Sequence, residues 1–249
     1  MRPISIYLFA VLLAFPAAAQ TDDMGKTLRD LQETNKAILK ELQEIRKLLA
    51  QQAPASPQSG DALPAAAIDV SKRPFKGSPT AKVALIEFSD YQCSFCARFV
   101  RDTYPQLIKD YVDTNKIKYV FRDLPLEGVH PNAFKAAEAA HCGGEQGRFW
   151  EMHDQLFANS TNLASPDLSK YAEATRLNTG QFQQCLEGGK YTNAVRQEIT
   201  DAGTLGITGT PSFFIGVVQP NGSVKVSKKL VGAKSFAEFK AVIDTLLTQ

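Results

Sequence analysis

Two cysteines spaced by two residues, Cys93-Ser94-Phe95-Cys96, stand directly behind the run Val83-Ala84-Leu85-Ile86-Glu87-Phe88-Ser89-Asp90-Tyr91-Gln92. The run is apolar and rich in strand-forming residues, so it reads as a buried strand over 83–89, and helical periodicity follows over 95–112. A cysteine pair where a strand hands over to a helix puts the first sulfur among unpaired helix N–H groups at the positive end of the dipole. That position favours thiolate over thiol. The pattern predicts an exposed attacking sulfur, Cys93, and a resolving sulfur, Cys96, one turn behind it.

The chain has 249 residues and is 44% hydrophobic, enough for one well-buried domain with residues to spare for other segments. A formal net charge of +2 is too small for a phosphate-binding footprint, which argues against a nucleic-acid partner. Residues 1–19 set Arg2 ahead of an apolar core from Ile4 to Phe15 and end in Ala17-Ala18-Ala19, the order of a cleaved secretory signal. The apolar core is shorter than a membrane span needs, and Pro16 interrupts its end. Export to an oxidising compartment would permit lasting disulfides. With Cys93 and Cys96 forming the local pair, Cys142 and Cys185 are left for each other as a structural disulfide.

Residues 20–49 carry a heptad stripe at Met24, Leu28, Leu31, Asn35, Ile38, Leu42, Ile45 and Leu49. The spacing predicts a coiled-coil helix in which Asn35, alone among the a positions, fixes register. Dimer and trimer both fit: Asn35 favours two strands, while Leu39 and Leu48 widen the apolar face. An amphipathic helix folded onto its own domain is the alternative. Residues 50–67, with three prolines and few large apolar side chains, read as a flexible linker.

The remainder, 68–249, reads as strand (83–89), helix (95–112), strand (117–122), a helical insertion over about 131–206, two strands (212–218 and 224–230) across an Asn221-Gly222 turn, and a last helix (235–247). This order, the C-x-x-C behind a strand, Phe121-Arg122-Asp123-Leu124-Pro125, His130-Pro131-Asn132-Ala133 and Gly206-Ile207-Thr208-Gly209-Thr210-Pro211 together resemble the DsbA-type disulfide oxidoreductases of the thioredoxin superfamily. The resemblance implies an α/β thioredoxin-like fold with a helical insertion. It also implies a cis bond between Thr210 and Pro211 beside the active cysteines, where the Thr210 backbone meets substrate, and a buried Glu87 that relays a proton to or from Cys96. Residues alone leave Pro211 as an ordinary trans proline and Glu87 open to a solvent-facing place at a strand edge.

Ser94 and Phe95, the pair between the cysteines, tune the redox potential, and Phe95 brings no cation to the thiolate. Strongly oxidising DsbA proteins carry histidine at that place, whereas DsbC- and DsbG-type isomerases carry an aromatic residue and a threonine before the cis-proline. ScsC-like relatives join a DsbA-like domain to an N-terminal oligomerising helix and a linker. The reading is therefore a periplasmic thiol:disulfide oxidoreductase without cofactor or metal, isomerase-type, that meets exported cysteine-containing proteins and a membrane or periplasmic redox partner. A disulfide donor and a chaperone-like binding module are its rivals. Zinc binding at the cysteines would need two more ligands, of which His141 is the nearest candidate. His130, His141 and His153 read as capping or surface residues.

Overall fold

The computed structural model describes the backbone of residues 18–52, 63–64 and 67–249, with side chains over 25–45, 63–64 and 67–249. The expected secretory signal, except for Ala18 and Ala19, and most of the expected linker lie outside these residues. The chain divides into two units, Met1–Pro57 and Gln58–Gln249. The described residues of the first form the helix α1 (Ala18–Gln52), of 35 residues and about 50 Å in length. Its Leu28, Leu31, Ile38, Leu39, Leu42 and Ile45 are each between 49% and 59% exposed. The described part of the heptad stripe is thus a row of half-exposed apolar side chains. Met24 and Leu49 lie outside the described side chains. Among the described residues no helix is long and apolar enough to cross a membrane.

The second unit is built on a six-stranded sheet, with β1 (Ile68–Asp69), β2 (Phe75–Gly77), β3 (Val83–Ser89), β4 (Ile117–Asp123), β5 (Ser212–Val218) and β6 (Ser223–Val231) in the spatial order β1-β6-β5-β3-β4-β2. β3 lies parallel to β4 and antiparallel to β5, so both its edges are paired and every one of its seven residues is buried. That explains why the run is apolar but for Glu87 and Ser89, since a central strand covered on both faces has no solvent-facing side to present. Alternation along β3 then divides the core. Val83 and Leu85 pack with Phe99, Phe213, Phe239 and Ile243 on one face. Ala84, Ile86 and Phe88 pack with Val120, Phe214 and Ala202 on the other. Glu87 has the same parity as Leu85 and so points to the first face.

The β5–β6 hairpin turns at Asn221-Gly222, where Gly222 has φ +82° and the Asn221 side chain accepts the Ser223 N–H at 3.0 Å. Gly216 marks a register shift against β6, and a Cβ there would lie 2.1 Å from the Lys225 carbonyl oxygen. The short strands β1 and β2 were not expected, because two or three residues are too few for an alternating pattern to show.

The helix expected over 95–112 is broken. It runs as α2 (Ser94–Asp102), α3 (Tyr104–Leu107) and a π-type turn over Ile108–Val112, in which the Asp113 N–H reaches back to the Ile108 carbonyl at 2.8 Å. Pro105 causes the break, because it lacks an N–H and its ring would clash with the carbonyl a turn earlier. The helical insertion comprises α4 (Ala133–Glu145), α5 (Phe149–Ala158), α6 (Ser165–Ala174), α7 (Thr179–Glu187) and α8 (Thr192–Thr204), close to the expected bounds. Cys142 of α4 and Cys185 of α7 are joined by a disulfide that closes 43 residues of chain separation. α9 (Phe236–Leu247) lays Phe239, Ile243 and Leu246 on the sheet, and its Glu238 carboxylate accepts from the Ser235 N–H at 2.9 Å to close the first turn.

Candidate active site

The strand-to-helix passage builds the site. β3 ends at Ser89, the turn Asp90-Tyr91-Gln92 follows, and Cys93 is the N-cap of α2 in an extended conformation (φ −73°, ψ 121°). Cys93 and Cys96 are free thiols and both are buried, Cys93 at 5% exposure; the exposed attacking sulfur expected from the sequence is instead covered, with the Thr210 carbonyl against it. Cys93 is held well below an ordinary thiol, at a pKa of about 5. The first cause is the Cys96 S–H, which hydrogen-bonds to the Cys93 sulfur. The Thr210 side chain and the backbone N–H groups of Cys96 and Phe95 add to it against the opposing effect of burial. Cys96 is fully buried and goes the other way: desolvation, then its bond to Cys93 and the charge of Cys93, push its thiol up. One sulfur is thus prepared to attack and the other keeps its proton.

Across from the cysteines, Thr210-Pro211 is a cis peptide bond, and the Cys93 sulfur lies 3.5 Å from the Thr210 carbonyl oxygen. Ser94 and Phe95 face outward, Phe95 at 54% exposure, and the Arg98 guanidinium lies over the Phe95 ring at 5.0 Å. Phe95 itself carries no charge, yet the helix brings a cation onto it from one turn ahead. The spacing of three residues was the signal available for that contact.

Glu87 is completely buried, not at a solvent-facing edge. Its place in the middle strand, on the face under α2, follows from the alternation of β3. Desolvation raises its pKa to about 7 in spite of a hydrogen bond donated by the Tyr119 hydroxyl from β4, and its second oxygen, Oε1, has no protein partner. The Ser89 side chain, two residues on and on the same face, favours the ionised form of both the Glu87 carboxyl and the Cys96 thiol. Sequence reading missed Ser89 and Tyr119, although period-two spacing from Glu87 could have found the serine.

The structure therefore brings Glu87, Cys93, Ser94, Phe95, Cys96, Thr210 and Pro211 to one end of the sheet. Cys142 and Cys185 belong to the apolar cluster that also closes behind Cys93 and Cys96, but they bond to each other. His141 Nε2 is bound to Asp123 at 2.6 Å, which raises its pKa against burial, and its ring stacks on Tyr191. His153 is buried among Tyr91, Phe121 and Phe157, with its pKa lowered by desolvation. Among the described residues no group of three histidines, cysteines or acids is placed to hold a metal ion. A cavity of about 660 Å³ opens along α2 and α5, lined by Ala97, Val100, Tyr104 and Phe157, and neither cysteine lines it.

A family model described as thioredoxin matches residues 69–245. Among solved structures, Wolbachia pipientis α-DsbA1 is 27% identical with a TM-score of 0.64, covering 73% of this chain and 94% of that one. BdbD from Bacillus subtilis shares the fold at 21% identity with a TM-score of 0.65, covering 75% of this chain and 99% of BdbD. Among curated sequences, the Na(+)/H(+) antiporter NhaA 3 of Salinispora tropica is 34% identical over 159 residues, 64% of this chain and 24% of the antiporter. The chain spans about a quarter of the length of the curated relatives it matches.

Proposed function

The chain belongs to the thioredoxin superfamily as a DsbA-like thiol-disulfide oxidoreductase, and from that premise we propose that it rearranges disulfides in other exported proteins. The observation that carries the exchange chemistry is the contrast between Cys93, held near pKa 5, and Cys96, held high. The Cys93 thiolate attacks one sulfur of a substrate disulfide. That S–S bond breaks, its other sulfur leaves as a thiolate, and a mixed disulfide remains. A substrate thiolate then attacks its own sulfur in the mixed disulfide, forming a new substrate bond and returning Cys93 unchanged. If no thiolate arrives, Cys96 gives its proton to the Glu87 carboxylate and attacks the Cys93 sulfur. The substrate sulfur is released as a thiolate, and Cys93–Cys96 carries the oxidised state. A carboxyl with a pKa of about 7 is matched to such a transfer near neutral pH.

Rearrangement is favoured over donation by α1, whose exposed apolar stripe suits pairing with copies of itself. Several active sites on tethers would engage one misfolded chain at high effective concentration. A second reading, a disulfide donor, draws on the same Cys93: a stabilised thiolate stabilises the reduced protein and makes its disulfide a stronger oxidant. A redox partner in the membrane or periplasm would reset either form. The test is reactivation of a scrambled-disulfide substrate in a glutathione buffer by the full chain and by residues 58–249. Reactivation by the full chain alone supports rearrangement. Failure of both, with rapid oxidation of a reduced substrate by both, makes the protein a donor.

A further inference from the structure

The turn that delivers Cys93 to the head of α2 is tied to the loop behind β4 by four hydrogen bonds. The Leu124 N–H donates to the Ser89 carbonyl at 2.7 Å, and the Leu126 N–H to Asp90 Oδ2 at 2.8 Å. The Asn132 N–H donates to Gln92 Oε1 at 2.9 Å, and His130 Nδ1 lies 2.8 Å from Asp90 Oδ2. Both Asp90 oxygens already accept backbone N–H groups, so Nδ1 is taken as the donor in the last of these. Three of the four donors are backbone groups that almost any residue supplies. His130 alone reaches the turn through its side chain.

Asp90 is fully buried, and its other oxygen accepts the Gln92 N–H at 2.7 Å and the Cys93 N–H at 3.2 Å. The carboxylate therefore touches the amide of the attacking residue at one end and the imidazole at the other. We propose that His130 is a positioning residue for the nucleophile, holding the Asp90 carboxylate where it caps the Gln92 and Cys93 amides. The assignment rests on Cys93 being the attacking sulfur of the proposed exchange. Its electrostatic side follows from which oxygen each donor meets. The His130 donor draws the carboxylate's charge toward the oxygen remote from the Cys93 amide; without it that charge is less offset beside Cys93, and a like charge disfavours the thiolate.

The test titrates the Cys93 thiolate in the full-length reduced protein by its ultraviolet absorbance and by its rate of alkylation with iodoacetamide. Circular dichroism establishes that each variant is folded. H130A removes the donor, H130Q moves it one bond outward, and H130N keeps an N–H at the position of Nδ1. Opposite-charge and hydrogen-bond neighbours typically move a pKa by about one unit or more. H130A and H130Q are thus expected to raise the Cys93 midpoint by about one unit and to slow alkylation at acid pH about tenfold. H130N is expected to stay near the parent, and H130A added to D90N should no longer move the midpoint. A folded H130Q with the parent's midpoint, or an H130N shifted as far as H130Q, overturns the proposal. A parent protein whose Cys93 resists alkylation at acid pH would instead overturn the exchange reading beneath it.

Discussion

Thiols of the same chemical type differ in reactivity by what surrounds them, and here two cysteines three residues apart are set in opposite states. The thiolate absorbance of the reduced protein should titrate with a midpoint near pH 5, and C96A should move that midpoint upward, because the Cys96 S–H is the largest single influence on it. Glu87 supplies a second pH signature. Folded Glu87 keeps its proton up to a pH of about 7, whereas an exposed glutamate releases it near 4.5. Between those values the folded state binds more protons, so stability falls as pH rises. The contribution is complete below pH 4.5 and is lost through about pH 7, amounting to about 3 kcal/mol. E87Q keeps an acceptor for Tyr119 without the charge, so chemical denaturation at pH 8 should find it more stable than the parent by up to that amount, with no difference at pH 4. An unchanged pH profile would show that Glu87 is not desolvated. The cysteines were legible because they stand together where a strand meets a helix, whereas the residues alone left Glu87 open and only the family resemblance implied its burial. The Asp90–His130 pair was not, since 40 residues separate its members and only the β3–β4 pairing brings them together.

Elements read well where periodicity was long and poorly where it was short or interrupted. β3, β4, β5, β6 and α9 followed from apolar pattern, whereas β1 and β2 are too brief to carry one, and Pro105 broke a helix whose apolar spacing continued past it. The Phe121-Arg122-Asp123 segment shows why a motif can be visible before its purpose is. Arg122 is buried, bonds Glu198 of α8 through Nε at 2.6 Å and Asp201 at 2.6 Å, and lies over the Phe88 ring. Glu198 also accepts the Asp123 N–H at 3.0 Å and pairs with Arg73. This network fastens the last helix of the insertion to the sheet. E198A leaves the Arg122 Nε and the Asp123 amide without their acceptor, with Asp201 still holding the other end of the guanidinium, and should cost about 2 to 3 kcal/mol, seen as a lower urea midpoint with an unchanged slope. A loss below about 1 kcal/mol would mean that apolar packing alone joins α8 to β4.

For the whole molecule, the account joins a site proposed to perform exchange to a helix whose described apolar side chains are half exposed. L31E with I38E places charge on two d positions of the described stripe. Sedimentation equilibrium should then give the mass of one chain, where the parent gives a multiple of it. A parent that sediments as a single chain would leave α1 without its proposed role and favour the donor reading. Strand number was not legible because Asn35 and the wide apolar face argue for different assemblies. The central claim, that Cys93 attacks substrate disulfides and Cys96 resolves the product, is tested most directly by trapping. Reduced C96S and C93S proteins are each mixed with a disulfide-bonded substrate, quenched in acid and weighed by mass spectrometry. The account predicts a mixed disulfide through Cys93 in C96S and none in C93S. An adduct through Cys96, or none in either variant, would contradict it.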